Sequence, residues 1–429
     1  MKLVIIAGGK GTRLGFKEIP KPMVKFNGVP ILEHQINLAK KYKINQVYIL
    51  SGYLSEVIID YFGDGSKFGI NIKHIIEDKP LNTAGALKQL EGVLKERFMV
   101  FYGDTIMDID LASFIKFDLD KKNSIGSIIV HPNDHPFDSD LLEIDNDEKV
   151  SSFYSKPHNN NEFYTNLVNA ALYILSPSIF NYIPKNVASD FGKDIFPRVI
   201  LKENLYGYKT TEYIKDMGTP DRFKKVEKDI VSGKVSSLNR EKKQKAIFLD
   251  RDGVINKEVD NLTKIEDFEL IERVSDSIKL INKSEYLAIV VTNQPVIAKG
   301  FITSIQLDLI HKKMDSILGD QGAYIDDLFY CPHHQESGFE GEVKKLKINC
   351  NCRKPNSGML IEAAKKYNID LEKSWIIGDR YADVKAGNQV DVSTVLLKTG
   401  HAGNDKDKYF DLIPDKEFNN LYEAVNFII

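Results

Sequence analysis

An α/β protein built from two doubly wound domains is the fold class this sequence predicts, and three observations carry it. Short β-branched runs alternate with segments of helical period, as in "LVIIAG", "PILEHQINLAKKY" and "QVYILSG", the pattern of crossover units around a mainly parallel sheet. That alternation fades in "KDIVSGKVSSLNREKKQK" and then restarts. The chain has 429 residues, more than one core of about 250–300 residues accommodates.

Taken in order, residues 1–231 form the first domain, with further strands at "IKHIIE", "RFMVFYGD" and "SIGSIIV". Residues 232–244, rich in Gly, Ser, Asn and charge, read as a linker. Residues 245–429 form the second domain, whose strands "KAIFLD", "YLAIVVTNQ", "SWIIGDR" and "VSTVLLKTG" each end in polar or charged residues. Ligands of open α/β sheets sit outside the carboxyl ends of the strands, so those polar endings are the first candidates for function.

Composition excludes several classes. With 42% hydrophobic and 28% charged residues and a net charge of -3, the chain reads as globular, with no field calling for nucleic acid or a membrane. "MKLVIIAGGKGTR" meets glycine and fresh basic residues where a signal peptide needs a longer apolar core, so it is a first strand and the expected location is cytoplasmic. Three cysteines, sparse and odd in number, argue against a disulfide framework. The sequence sets no oligomeric state, and a homo-oligomer stays open.

Gly8, Gly9 and Gly11 follow the first strand directly, with Lys10, Arg13, Lys21 and Lys25 close behind. Glycines let backbone N–H groups wrap a polyphosphate, and the cations offset its charge. The spacing is not that of a Walker loop, and taken alone a tight turn is an equal reading. "PKPM" adds a lysine held between prolines, a stiff way to present a cation. With "PLNTAGAL", "FYGDTIMD", "SKP", "VNAALYIL" and "KDMGTPDRF" following in order, the first domain resembles the sugar-1-phosphate nucleotidyltransferases.

That resemblance implies a Rossmann-like, GT-A-like domain that takes a nucleoside triphosphate and a sugar phosphate. Gly8, Gly9, Gly11, Thr12 and Gly85 would line the nucleotide site, Arg13 and Lys21 would hold the triphosphate, and Lys156 would grip the sugar phosphate. Asp104 and Asp216 would share Mg²⁺. The short spacer before "IPKPM" is most similar to enzymes that activate heptose or mannose 1-phosphates with GTP. Ser155 stands where an acidic residue is more usual, and Met217 where a smaller aliphatic is.

In the second domain Asp250 ends a strand and Asp252 follows two residues later. Two such carboxylates repel in a shared site unless a metal or proton intervenes, and one of them can attack a phosphoryl group while the other protonates the leaving group. A strand-end turn with solvated acids is the blander alternative. "VVTNQ", "CRKP" and "IIGDRYAD" then supply Thr292, Arg353, Lys354, Asp379 and Asp383. This set resembles the haloacid dehalogenase (HAD) superfamily and implies a HAD-like Rossmannoid phosphatase. Asp250 would be the nucleophile and Asp252 the acid/base, with Thr292 and Lys354 on the phosphate. Asp250, Asp379 and the backbone carbonyl of Asp252 would bind Mg²⁺, with Asp383 in support.

"FLDRDG", "TNQ", "CPHH" and C-x-C-R-K-P together are similar to the heptose 1,7-bisphosphate phosphatases and their histidinol-phosphatase relatives. In that family a C-x-H and a C-x-C clamp Zn²⁺. Cys331, His333, Cys350 and Cys352 offer three thiolates and an imidazole, a suitable tetrahedral set, so the implied zinc is structural and steadies the loop bearing Arg353 and Lys354. His334 reads as a loop residue or a supporting hydrogen-bond partner. Pro295, Val296, Lys299 and Gln335 depart from the usual pattern.

The two resemblances converge, because removing the 7-phosphate of a heptose bisphosphate leaves a heptose 1-phosphate for the first domain. The expected partners are small molecules, a sugar phosphate and a nucleoside triphosphate. Other readings are the same activities on another sugar or on histidinol phosphate, a DNA 3′-phosphatase, and a non-catalytic scaffold.

Overall fold

The computed structural model describes residues 1–9, 18–159 and 161–429. Its backbone forms two compact units, one made of residues 1–131, 139–158 and 167–239, the other of residues 132–138, 159–166 and 240–429. Within the stretch read as a linker, Lys234–Ser237 makes a helical turn after the helix Pro220–Val231.

The first unit is organised on a nine-stranded sheet. Lys2–Ile6 lies between Gln46–Ser51 and Phe98–Tyr102, parallel to both, and Asn71–Ile76 extends the parallel part. Leu3 and Ile5 join one core with Val47, Ile49, Met99 and Phe101, while Val4 joins another with Tyr48, Leu50, Phe98 and Val100. Successive side chains point to opposite faces and both faces are covered, which is why these strands read as unbroken apolar runs.

Beyond Phe98–Tyr102 the expected mainly parallel sheet is corrected. Val168–Leu175 runs antiparallel to Phe98–Tyr102, to Gly126–His131 and to Leu141–Ile144, so this sheet is mixed. A short connection accounts for one further antiparallel pair: only residues 145–149 separate Leu141–Ile144 from its partner Val150–Tyr154, too few for a parallel crossover. A separate antiparallel ribbon pairs Tyr213–Asp216 with Thr105–Asp108 and sets Asp216 opposite Thr105.

The second unit holds a six-stranded sheet in the order Asp327–Cys331, Tyr286–Asn293, Lys245–Leu249, Trp375–Gly378, Ser393–Leu397, Lys416–Phe418. Every neighbouring pair is parallel. The chain starts at the centre, builds outward on one side, then crosses to the other. That reversal opens a crevice at the carboxyl end of Lys245–Leu249. Ile247, Leu249, Ala288, Val290 and Ile377 pack with Ile278 and Ile281 of the helix Val274–Lys283 and with Leu421 and Val425 of Leu421–Ile428. The helix Ser304–Asp320 begins with a capping box in which Thr303 and Gln306 satisfy each other's backbone N–H groups. It buries Leu307, Ile310, Met314 and Leu318, spaced along one face of the 3.6-residue period.

Candidate functional site

At the crevice of the second unit, Asp250, Asp252, Thr292, Arg353, Lys354 and Asp383 line a cleft of about 460 Å³. Asp250 and Asp379 directly follow the adjacent parallel strands Lys245–Leu249 and Trp375–Gly378, and Asp383 lies on the helix Tyr381–Asn388. Residues from opposite ends of the second unit's sequence thus meet at one strand edge. Gly253 closes the turn after Asp252 with φ +78, and a Cβ there would sit 2.2 Å from Asp379 Oδ2, so both conformation and space require glycine.

Lys354 is 5% exposed. Its Nζ lies 3.0 Å from Asp250 Oδ2 and 2.6 Å from Asp383 Oδ1, and donates to Val291 O at 2.8 Å. Burial works against the lysine's charge, but Asp250 and Asp383 outweigh it and lift its pKa above the ordinary value. The backbone at Lys354 is held by Asn293, whose Oδ1 accepts from Lys354 N at 3.0 Å and whose Nδ2 donates to Lys354 O at 2.9 Å.

Asp250, Asp379 and Asp383 bring carboxylate oxygens within 4.8 Å of one another. Asp379 Oδ1 is buried without a hydrogen-bond partner. Burial, with Asp250 and Asp383 beside it, pushes Asp379 up to about 8, and burial pushes Asp383 up to about 6 despite Lys354. Oxygen donors this reluctant to ionise together, one of them unfilled, fit a divalent cation such as Mg²⁺. Asp252 is outside this cluster. Arg251 Nη2 lies 2.8 Å from each of its oxygens, Gln294 Nε2 donates to Oδ2 at 2.7 Å and Asn256 Nδ2 to Oδ1 at 3.0 Å. Burial opposes the ionised form of Asp252, and Arg251 with these amides more than offsets it, holding the pKa below the ordinary value.

The three cysteines and His333 gather as expected. Cys331 Sγ is 3.5 Å from Cys350 Sγ and 3.2 Å from Cys352 Sγ, and His333 Nδ1 is 3.3 Å from Cys352 Sγ. Tetrahedral Zn²⁺ with Zn–S bonds near 2.3 Å needs donors spaced by roughly 3.7 Å, so the soft set fits that ion with a small outward movement. Arg353 Nη1 donates to His333 O at 3.2 Å, which ties the cluster to the cationic segment. His334 stays outside the cluster, its Nδ1 3.4 Å from Glu336 O.

In the first unit, Lys21 on the short helix Lys21–Met23 pairs with Asp104. The ribbon register brings in Asp216, and Met217 N donates to Asp104 O at 3.3 Å. Asp216 also pairs with Arg222 Nη1 at 3.1 Å and accepts from Gly218 N at 2.5 Å. Burial would raise its pKa, yet Arg222, the Gly218 N–H and Lys21 bring it below the ordinary value. Gln35 pins the segment before and after Asp104, its Nε2 donating to Tyr102 O and to Thr105 O at 2.8 Å each. Gly8 closes the first strand where a Cβ would meet Glu77 Oε2 at 2.3 Å, Gly9 faces open space, and a Cβ on Gly85 would meet Val187 O at 2.6 Å. Lys156 is exposed, its N donating to Asp140 Oδ1 at 3.2 Å. Gly11, Thr12 and Arg13 lie outside the described residues.

Sequence reading missed Gln35, Asn293, Gln294 and Asn256, amides that orient a charged neighbour. The only signal was position, since Asn293 and Gln294 directly follow Thr292 at a strand end. No helix among the described residues is long and apolar enough to cross a membrane.

Residues 2–233 match the family model described as nucleotidyl transferase, and residues 351–424 match one described as HAD-hydrolase-like. A protein of Photorhabdus laumondii named D-glycero-alpha-D-manno-heptose-1,7-bisphosphate 7-phosphatase is 42% identical over 160 residues, 37% of this chain and 85% of that protein. The Escherichia coli K12 protein named for the beta anomer of the same substrate is 39% identical over 156 residues, 36% of this chain and 80% of that protein. The crystal structure of HddC from Yersinia pseudotuberculosis is 29% identical, with a TM-score of 0.47, covering 53% of this chain and 99% of that one.

Proposed function

This chain belongs to the nucleotidyl transferase family and to the D-glycero-D-manno-heptose-1,7-bisphosphate 7-phosphatase family, and from that premise we propose that its two activities are consecutive steps. It is a bifunctional enzyme, a transferase and a phosphatase. In our reading residues 245–429 remove the 7-phosphate of a heptose 1,7-bisphosphate. Residues 1–231 then transfer a nucleotidyl group, guanylyl by preference, to the heptose 1-phosphate.

The observation that carries the reading is the convergence of Asp250, Thr292, Lys354, Asp379 and Asp383 at one crevice. An Asp250 carboxylate oxygen attacks the phosphorus of the 7-phosphate, forming an Asp250–phosphorus bond as the bond to the sugar oxygen breaks. Asp252, ionised beside Arg251 in the free protein, takes up a proton as the anionic phosphate docks next to it, gives that proton to the departing oxygen, then takes a proton from the water that cleaves the aspartyl phosphate. Inorganic phosphate leaves and Asp250 is regenerated. Lys354 and Thr292 hold the phosphoryl oxygens, and Arg353 extends the positive rim. When bound at Asp250, Asp379 and the Asp252 carbonyl, Mg²⁺ supplies the charge that lets these acids ionise beside a phosphate.

In the other domain the sugar phosphate oxygen attacks the α-phosphorus of the nucleoside triphosphate and pyrophosphate departs. Lys21 and Arg13 neutralise the triphosphate, Lys156 holds the sugar phosphate, and Asp104 with Asp216 offers carboxylates for a second Mg²⁺. Zn²⁺ at Cys331, His333, Cys350 and Cys352 supplies a cross-link that keeps Arg353 and Lys354 in place.

The test incubates the purified protein with Mg²⁺, each nucleoside triphosphate and sugar bisphosphates of both anomers, and follows phosphate and pyrophosphate separately. Phosphate release from the heptose bisphosphate, followed by GTP-dependent pyrophosphate, is the expected result. No phosphate from any sugar bisphosphate would sink the proposal.

A further inference from the structure

Arg251 has the largest fully buried side chain among the described residues. A guanidinium has five N–H donors and stays charged, so burying one calls for an anion and for acceptors that use the remaining donors. The anion is Asp252. Nη2 lies 2.8 Å from both carboxylate oxygens and Nε 3.2 Å from Oδ1. On the far side, Nη1 lies 3.1 Å from Nε2 of His311, a residue 60 positions along the chain on the helix Ser304–Asp320.

His311 faces only part of the solvent and packs against the Tyr330 ring, 5.8 Å between centroids. Desolvation, with the Arg251 charge beside it and only Asp252 opposing, pushes its pKa down to about 3. The imidazole is therefore neutral across the working pH range. Since Arg251 can only donate, Nε2 is the unprotonated nitrogen and the ring proton sits on Nδ1. A helix position beside Ile310 and Leu307 is ordinarily apolar. Here it carries an acceptor turned onto the guanidinium that grips the Asp252 carboxyl.

We propose that His311 is a positioning residue of the phosphatase reaction: it fixes Arg251, and Arg251 aims the Asp252 carboxyl at the leaving-group oxygen. The inference rests on the reading of Asp252 as acid/base. Gln294 completes the arrangement, its Nε2 bridging Asp252 Oδ2 at 2.7 Å and Thr292 Oγ1 at 3.0 Å, so the acid is braced from the phosphate side by an amide and from the protein interior by Arg251 and His311. A misaimed acid slows formation of the aspartyl phosphate only for substrates whose leaving group needs a proton, whereas hydrolysis of that intermediate, with Asp252 as base, is common to all substrates.

The test compares single-turnover formation of the aspartyl phosphate from a sugar phosphate and from p-nitrophenyl phosphate, whose nitrophenolate departs unprotonated. His311→Leu removes the acceptor, His311→Asn keeps polarity but is too short to reach Arg251, and His311→Gln restores an acceptor. We expect the Leu and Asn variants to lose about 10–100-fold in that single-turnover rate on the sugar phosphate while staying within about twofold on the aryl phosphate. The Gln variant should recover most of the loss. Asp252→Asn should show the same selectivity more strongly. Equal losses on both substrates in the Leu and Asn variants, or no loss, overturn the inference. If Asp252→Asn is itself unselective, the acid/base reading falls and the inference with it. Selectivity in Asp252→Asn without selectivity at His311 overturns the inference alone.

Discussion

In the cleft of the second unit the lysine between Asp250 and Asp383 has a side chain 4% exposed, whereas in the candidate transferase site of the first unit Lys21 and Asp104 pair at 14% and 32%. Both sites are proposed to handle phosphates, yet they hold charge differently. The phosphatase interlocks its charges before substrate arrives, so each one is structural as well as chemical. Asp216 and Arg222 of the transferase, at 41% and 17% exposed, keep contact with water and leave stability less dependent on any one of them.

The contrast can be broken at several points. Chelating zinc, or replacing Cys350 by Ser, should lower the stability of the second unit by several kcal/mol, on the order of 5, and take phosphate release with it. Calorimetry before and after chelation should show that loss while pyrophosphate formation persists. Lys354→Met should cost about 3–5 kcal/mol in metal-free protein, as expected when one member of a buried charge group is removed, read as a shift in the second unit's urea midpoint. Asp216→Asn should slow pyrophosphate formation by about 10²–10³-fold while the first unit's stability, read from its urea unfolding, changes by less than about 1 kcal/mol. A large stability loss there would erase the contrast.

The smallest effect concerns acid. The pKa of His311 is depressed in the fold to about 3, so the unfolded chain binds a proton that the folded one refuses. Stability from this group is full above the unfolded value near 6.5 and declines as pH falls toward 3. Wild type should lose about 1 kcal/mol more than His311→Gln between pH 6.5 and 5.5, measured by urea unfolding. Parallel curves for the two proteins would show that the imidazole is not held neutral.

How far the molecule was legible in sequence follows from the same physics. The residues proposed for the chemistry at the ends of apolar runs, such as Asp250, Thr292 and Asp379, stand out because a strand buried on both faces is uniformly apolar until it reaches the crevice. The cysteine and histidine set is legible because soft donors are rare. What sequence hides is support between segments. Asn293 clamps Lys354 from 61 positions away, Gln35 braces residues near Asp104 from 70, and nothing local marks either amide. The antiparallel pairings of the first sheet were hidden for another reason: strand runs look alike whichever way they pair, and the short turn at residues 145–149 marks only the pair it joins.

The central claim, two independent active sites in one chain, is tested most directly with Asp250→Asn. Purified variant and wild type are given Mg²⁺ and either heptose 1,7-bisphosphate or heptose 1-phosphate with GTP, and phosphate and pyrophosphate are followed separately. The account expects phosphate release to fall by at least about 10³-fold while pyrophosphate from heptose 1-phosphate continues at the wild-type rate. Loss of both products, or phosphate release that survives the substitution, would contradict it.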